Sequence, residues 1–355
     1  MPNSQPGGIS FAAQICAATE QVFKQHPKPL ILDLDIASIA IRLKTTNPNL
    51  LAVFSSAIEH HRAASSHPKA LIRLWSAAEA AIERPRMPED IRQRVIRRRK
   101  DLAPGERHLI DFDPGGRMII VIDPDIAQVN VCLSSIDYLP HWERAAPLRS
   151  AINWILRQQD IHLLHAAAVS DTRGGALLLG AGGAGKSSAS LRCYQAGMTY
   201  LGDDLCAIQA GAMPSVFNVY GTAKTVWSDL EKFQDLHTLL ISQTNSLKAI
   251  YALNQAPASR IGTSSELRVL LLLDRSQPAG TVRRANPAKA VAIAASTTAS
   301  FLPGSGRPML SALADIARRL PVLSISLGEE SQQAAALVRR AIREPEQLLQ
   351  DCDDP

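Results

Sequence analysis

The chain predicts an α/β fold in two parts, and three stretches carry that prediction. Residues 177–179 are three consecutive leucines that run into a loop of small residues and out into a helix. Residues 266–275 (ELRVLLLLDR) hold a continuous apolar run, as a strand buried on both faces requires. Ahead of both, residues 30–43 (LILDLDIASIAIRL) alternate apolar with polar or small residues, the pattern of half-buried strands. A helical and antiparallel-sheet accessory part over residues 1–145 therefore precedes an α/β core over residues 146–345, with residues 346–355 as an acidic tail. At 355 residues the chain exceeds the usual single domain, which fits two parts.

Composition narrows the class further. A hydrophobic content of 46% with 20% charged residues suits a globular chain that buries a large core. No apolar run reaches membrane-spanning length, and residues 1–6 lack a basic, apolar signal segment, so no membrane partner and a cytoplasmic location are expected. The cysteines Cys16, Cys132, Cys193, Cys206 and Cys352 are scattered, without zinc-ligand spacing, which points to a reducing compartment. The net charge of +5 permits an acidic partner without demanding one.

In the accessory part, residues 1–28 read as weakly ordered at first and then helical, with Ile15, Val22 and Phe23 on one side. Residues 50–80 read as mostly helical with a break near 65–68. Residues 91–100 (IRQRVIRRRK) are the most basic segment. They read as a solvated helix face balanced by Glu89, Asp90 and Asp101, with docking of an acidic peptide or of nucleic acid as the alternative. No interleaved aromatics or nucleic-acid motif accompany them, so no nucleic-acid partner is expected. Residues 108–133 read as two strands joined at Asp113-Pro114-Gly115-Gly116, with Asp111, Asp113, Asp123 and Asp125 as turn formers. Residues 147–157 then carry apolar positions at helical spacing, with Pro147 in the first turn.

The core begins with a strand at residues 165–169 (HAAAV) and a turn at 171–175, followed by the leucine strand. The loop after it, Gly180-Ala181-Gly182-Gly183-Ala184-Gly185-Lys186-Ser187-Ser188, fits G-x-x-x-x-G-K-[ST] without mismatch from Gly180 to Ser187. Glycines without a Cβ let backbone N–H groups curl around phosphate oxygens, and the following helix directs its positive end at them. Lys186 would reach the β- and γ-phosphates and Ser187 would hold Mg²⁺, so a nucleoside triphosphate is expected here. Residues 199–204 (TYLGDD) read as a short strand ending in Asp203 and Asp204. Neighbouring strand residues face opposite ways, so the two carboxylates are expected to do different jobs.

His165, the loop GAGGAGKS and the GDD tripeptide together resemble the core of HPr kinase/phosphorylase and its bacterial serine-kinase relatives, including the precursor-modifying kinases of lasso-peptide clusters. The resemblance covers residues 160–210 in motif and 160–345 in layout. It implies a phosphate-loop kinase core of the HPr kinase and phosphoenolpyruvate carboxykinase-like type, with ATP and Mg²⁺. Carried over by position, Asp203 is the catalytic acid/base, Asp204 with Ser187 holds Mg²⁺, and His165 stands beside the catalytic Asp. The chain has Ser188 where HPr kinases have an acidic residue, and no M-E-I-R-G-type segment follows residue 210. That segment is tied to phosphorolysis in the family, so its absence favours the kinase direction and speaks against HPr itself as the substrate. Lys224, in a small-residue turn before a helix at 227–233, either touches the transferred phosphoryl group, as in the relatives, or is a surface lysine. Arg275 reads as a charged strand end, with reach to phosphate as the alternative.

The expected activity is transfer of a phosphoryl group from ATP to a serine hydroxyl of a peptide or small protein. A lasso-peptide precursor with a C-terminal Ser is the acceptor that the resemblance implies. A carrier-protein or small-molecule kinase and a non-catalytic nucleotide switch are the alternatives, and the oligomeric state is left open.

Overall fold

The computed structural model describes residues 10–89, 91–92, 108–113, 115–139, 141–241, 248–302, 306–328 and 330–352. Of the basic segment, residues 93–100 lie outside these. The fold is mixed α/β, in two compact units: Met1–Ser56 with Arg62–Arg144, and Ala57–His61 with Ala145–Pro355. No helix among the described residues is long and apolar enough to cross a membrane.

The first unit is a six-stranded sheet with helix α1 (Phe11–Gln25) on one face. Strands β1 (Leu30–Ile36) and β2 (Ile39–Thr45) form an antiparallel hairpin. Its turn residues Ala37 and Ser38 both sit at positive φ, +54° and +64°, as a two-residue hairpin turn demands. Alternation in β2 puts Ile39, Ile41, Leu43 and Thr45 inward. Residues 50–80 are not mostly helical. Pro48–Ser55 (α2), a 3₁₀ turn at Glu59–His61 and a single helical turn at Ala77–Ala80 are, and Ala70–Ser76 form β3 in the middle of the sheet. The run ALIRLWS is covered on both faces, so it lacks the alternation that would have marked it as a strand.

Residues 108–133 give three strands rather than two: β4 (Leu109–Phe112), β5 (Met118–Asp123) and β6 (Gln128–Leu133), in sheet order β1-β2-β3-β6-β5-β4. Asp113 accepts the N–H groups of Gly115 and Met118 at 3.0 and 2.6 Å, and Asp123 that of Asp125 at 3.1 Å. Under α1, Trp75 packs with Phe11, Ile15, Val22, Ile119 and Val121. Its indole N–H donates to the Thr19 hydroxyl at 2.9 Å, and that hydroxyl donates to the Ile15 carbonyl at 2.8 Å.

The second unit is built on β9 (Gly174–Leu179) and β15 (Ser264–Leu273), which run parallel side by side. Helix α3 (Arg149–Arg157) leads into it, starting two residues after Pro147. β7 (His162–Leu164) comes next, and β8 (Ala167–Asp171) pairs antiparallel with both β9 and β10 (Thr199–Gly202). His165 lies in the bend between β7 and β8 rather than in a strand. The outer half of β15 pairs with β12 (Ser215–Phe217), which continues the sheet through β11 (Cys206–Gln209) to β7. The inner half pairs with β17 (Val322–Ile325), which also pairs with β16 (Val282–Arg284). A separate hairpin joins β13 (Thr222–Thr225) to β14 (Ala249–Ala252).

Helices cover both faces. Leu177 and Leu179 of β9, with Leu270 and Leu272 of β15, pack in one core with residues of α5 (Pro287–Phe301) and α6 (Gly306–Arg319). Ala176 and Leu178, with Val269, Leu271 and Leu273, pack in the other with α4 (Lys186–Gln195) and α7 (Ser331–Arg343). This two-sided burial is the reason both leucine runs are continuous. The segment expected as an acidic tail from 346 instead forms α8 (Pro345–Asp351) with Leu348 buried.

Thr19→Val keeps the volume under Trp75 but leaves the indole N–H buried without an acceptor. The expected loss is about 1–3 kcal/mol of unfolding free energy, read from tryptophan fluorescence in urea. An unchanged midpoint would show that the hydrogen bond carries no net stability.

Candidate functional site

The loop after β9 is shaped by its glycines. Gly183 and Gly185 sit at φ +80° and +94°, which an L side chain would strain to adopt. A Cβ built on Gly182 or Gly183 would meet nothing within 4 Å. Gly182, with neither positive φ nor crowding, keeps open the space in front of the loop. Helix α4 starts at Lys186 with Gly185 at its N-cap and no side chain capping it. Its first-turn N–H groups therefore have no side-chain acceptor at the cap. Lys186 is buried and folds back, its Nζ donating to the carbonyls of Gly180 at 2.8 Å and Ala181 at 3.3 Å. Burial lowers its pKa, opposed by the charges of Asp203 and Asp204.

The charges of both carboxylates act on Lys186, and the two are not placed as alternating strand residues. The reason is local. β10 ends at Gly202, so Asp203 and Asp204 lie beyond the strand, and Asp204 sits at φ +69°. Asp203 Oδ2 accepts the backbone N–H of Lys224 at 2.9 Å, while its buried Oδ1 has no hydrogen-bond partner among the described residues. Burial, then the charge of Asp204, raise the Asp203 pKa, and the facing Ser187 hydroxyl works against them. Asp204 accepts Lys224 Nζ at 2.6 Å and lies 3.4 Å from His165 Nδ1. Burial alone would raise its pKa, but Lys224 and His165 outweigh burial and the net shift is downward. Lys248, which sequence reading did not single out, adds to that shift.

The partners are therefore crossed relative to expectation. Ser187 faces Asp203, not Asp204, and His165 stands beside Asp204, not Asp203. Lys224 is no surface lysine; its backbone holds one aspartate and its ammonium the other, with the side chain 15% exposed. The oxygens of Ser187 and Asp203 fit a hard cation such as Mg²⁺, because Asp203 is a buried carboxylate with an unfilled oxygen. Among the described residues no group of three or more His, Cys, Asp and Glu could hold a metal. Mg²⁺ in phosphate-transfer sites needs only one or two carboxylates besides phosphate and water.

Beside the loop lies an open cavity of about 290 Å³. Gly185, Ser188 and Arg192 line it from α4, Asp274 and Arg275 from the end of β15, and Lys232 from a 3₁₀ segment, Trp227–Leu239. That segment was expected as a short α-helix over 227–233. Arg275 was read as a charged strand end, yet a Cβ on Gly185 would lie 3.7 Å from its Cδ. No sequence signal marks this cavity, since its walls come from four separate stretches, within 184–192, 226–232, 273–275 and 325–327.

The sequence matches no family model and no curated protein. Among solved structures it is similar to the HPr(Ser) kinase/phosphatase from Coxiella burnetii, at 14% identity and a TM-score of 0.29, over 52% of this chain and 97% of that one. A likeness this low carries no weight by itself.

Burial drives the His165 pKa down to about 4, against the opposing pull of Asp204. The unfolded chain therefore takes up the proton first, and stability is lost as pH falls from about 6.5 towards 4. His165 should remain neutral by NMR titration down to about pH 4, and His165→Gln should blunt the acid loss. An imidazole titrating above pH 6 would contradict the burial described.

Proposed function

We propose that the chain is an ATP-dependent kinase that phosphorylates a serine hydroxyl of a peptide or small protein. One observation carries the proposal. At the foot of an open glycine loop, buried Asp203 keeps one carboxylate oxygen with no hydrogen-bond partner among the described residues, while the ammonium of Lys224 is engaged by adjacent Asp204. A buried carboxylate beside a second one is unfavourable alone, and a bound divalent cation relieves it.

In this reading the loop N–H groups and the start of α4 cradle the triphosphate. The nucleoside lies in the cavity lined by Ser188, Arg192 and Arg275. Lys186 leaves the carbonyls of Gly180 and Ala181 and turns to the phosphates. Mg²⁺ held by Ser187 and Asp203 would supply charge neutralisation at the β and γ oxygens. Asp204 orients the serine hydroxyl and takes its proton on Oδ1. The serine Oγ–P bond forms while the bond from the γ-phosphorus to the ADP oxygen breaks. A lowered pKa does not disqualify Asp204, because phosphoryl transfer is loose and asks for positioning more than for a strong base. Lys224 holds Asp204 in place through its Nζ, and neutral His165 flanks the same carboxylate. This exchanges the two aspartate roles relative to the resemblance-based expectation. A lasso-precursor C-terminal Ser is the narrower acceptor, supported by the resemblance alone.

Transfer from [γ-³²P]ATP to serine peptides tests the activity. Lys186→Ala should abolish transfer with the fold intact by circular dichroism, and near wild-type transfer would sink the loop assignment. The aspartates separate in a Mg²⁺ titration. Asp203→Asn should need much more Mg²⁺ for half-saturation of nucleotide binding. Asp204→Asn should bind nucleotide and Mg²⁺ normally but lower kcat by about a hundredfold or more. The reverse behaviour would restore the original role assignment.

A further inference from the structure

The contacts that seat Lys224 lead away from the loop and end on a histidine. Asn218 is fully buried, and its Nδ2 donates to the Tyr220 carbonyl at 3.2 Å. That fixes the amide orientation, so Asn218 Oδ1 is the atom 2.6 Å from His60 Nε2. An amide oxygen only accepts, so His60 must carry its proton on Nε2. The other ring nitrogen, Nδ1, is buried without a partner among the described residues. Burial lowers the His60 pKa, in keeping with a neutral ring.

The same ring closes over Gly221. A Cβ there would lie 2.9 Å from His60 Cε1 and 2.6 Å from Asn254 Cβ, so only glycine fits. Gly221 N–H donates to the Ala57 carbonyl at 2.7 Å, and Asn254 N–H to the Gly221 carbonyl at 3.1 Å. One residue on, the Thr222 carbonyl accepts the buried Tyr200 hydroxyl at 2.6 Å. Two residues further is Lys224. The short segment Ala57–His61, distant in sequence, is thus packed into the unit that carries the site.

We propose that His60 is a positioning residue: through Asn218 it fixes residues 218–222 and so the grip of Lys224 on Asp203 and Asp204. Its effect on turnover rests on the kinase reading above, but its effect on Lys224 does not. Loss of the Nε2 donor frees the Asn218 amide, loosens the Tyr220 carbonyl, and lets β13 drift relative to the aspartates. Displacements on the order of 1 Å at such a site cost rate by up to a hundredfold.

The test compares H60Q, whose amide nitrogen reaches the place of Nε2, with H60N, whose amide falls short of it. Two quantities are read on the full chain: acetylation of Lys224 by acetic anhydride, followed by mass spectrometry, and steady-state phosphate transfer. H60N should label Lys224 several-fold faster than wild type, with other lysines unchanged. It should also lower kcat about tenfold or more with the KM for ATP unaltered. H60Q should stay near wild type in both. Wild-type labelling and kcat in H60N overturn the proposal, as does equal impairment of H60Q and H60N, which would make the ring's packing the cause. Should H60N not fold, Asn218→Asp keeps the His60 contact and removes the donor to Tyr220. Slow Lys224 labelling in that variant likewise overturns the proposal. If wild type transfers no phosphate while the labelling pattern holds, the kinase reading falls and the role of His60 stands.

Discussion

The site depends on one lysine lying across two adjacent carboxylates. Asp203 is buried and Asp204 largely so, and the two would repel each other if left alone. Lys224 lets them coexist by giving its backbone N–H to the first and its ammonium to the second. The division is unequal. A neutral N–H offsets much less of a buried charge than an ammonium does, so Asp203 is held with its pKa raised and Asp204 with its pKa lowered. That asymmetry, more than the presence of two acids, gives each a separate place in a reaction.

The rest of the second unit serves to bring Lys224 to that spot. β9 and β15, buried on both faces, are the rigid floor from which the glycine loop and Arg275 emerge at the same end. β8 ties β10 to this floor, which places Gly202 and the two aspartates beside the loop. The β13–β14 hairpin is not part of the nine-stranded sheet. Its position is instead set by hydrogen bonds: the Tyr200 hydroxyl donates to the Thr222 carbonyl, the Thr222 hydroxyl donates to the Ala145 carbonyl, and the adjoining Gly221 N–H donates to the Ala57 carbonyl. A lysine on an independently anchored hairpin is open to adjustment in a way that a lysine on the central sheet would not be.

Where periodicity and burial agreed, the sequence was readable. The β1–β2 hairpin alternates because one face is covered and the other is not, and the strands at 177 and 270 are continuous because both faces are. Residues 70–76 misled because a strand covered on both faces and a buried helix turn carry the same apolar run. The relation of the two aspartates misled for another reason. Alternation holds only inside a strand, and β10 ends one residue before Asp203, at a backbone turn that puts Asp204 at positive φ.

By itself, then, the sequence determined the local chemistry: a loop whose glycines sit where a side chain would strain or fill it, a lysine at the head of a helix, and two neighbouring acids. Those depend on residues within a few positions of one another, so spacing alone expresses them. Tertiary structure decided the pairings. Ser187 with Asp203, His165 and Lys224 with Asp204, and His60 with Asn218 join residues from 16 to 158 positions apart. Nothing local encodes such contacts, because they follow from which strand ends the sheet brings together and from where each chain turn releases its side chain.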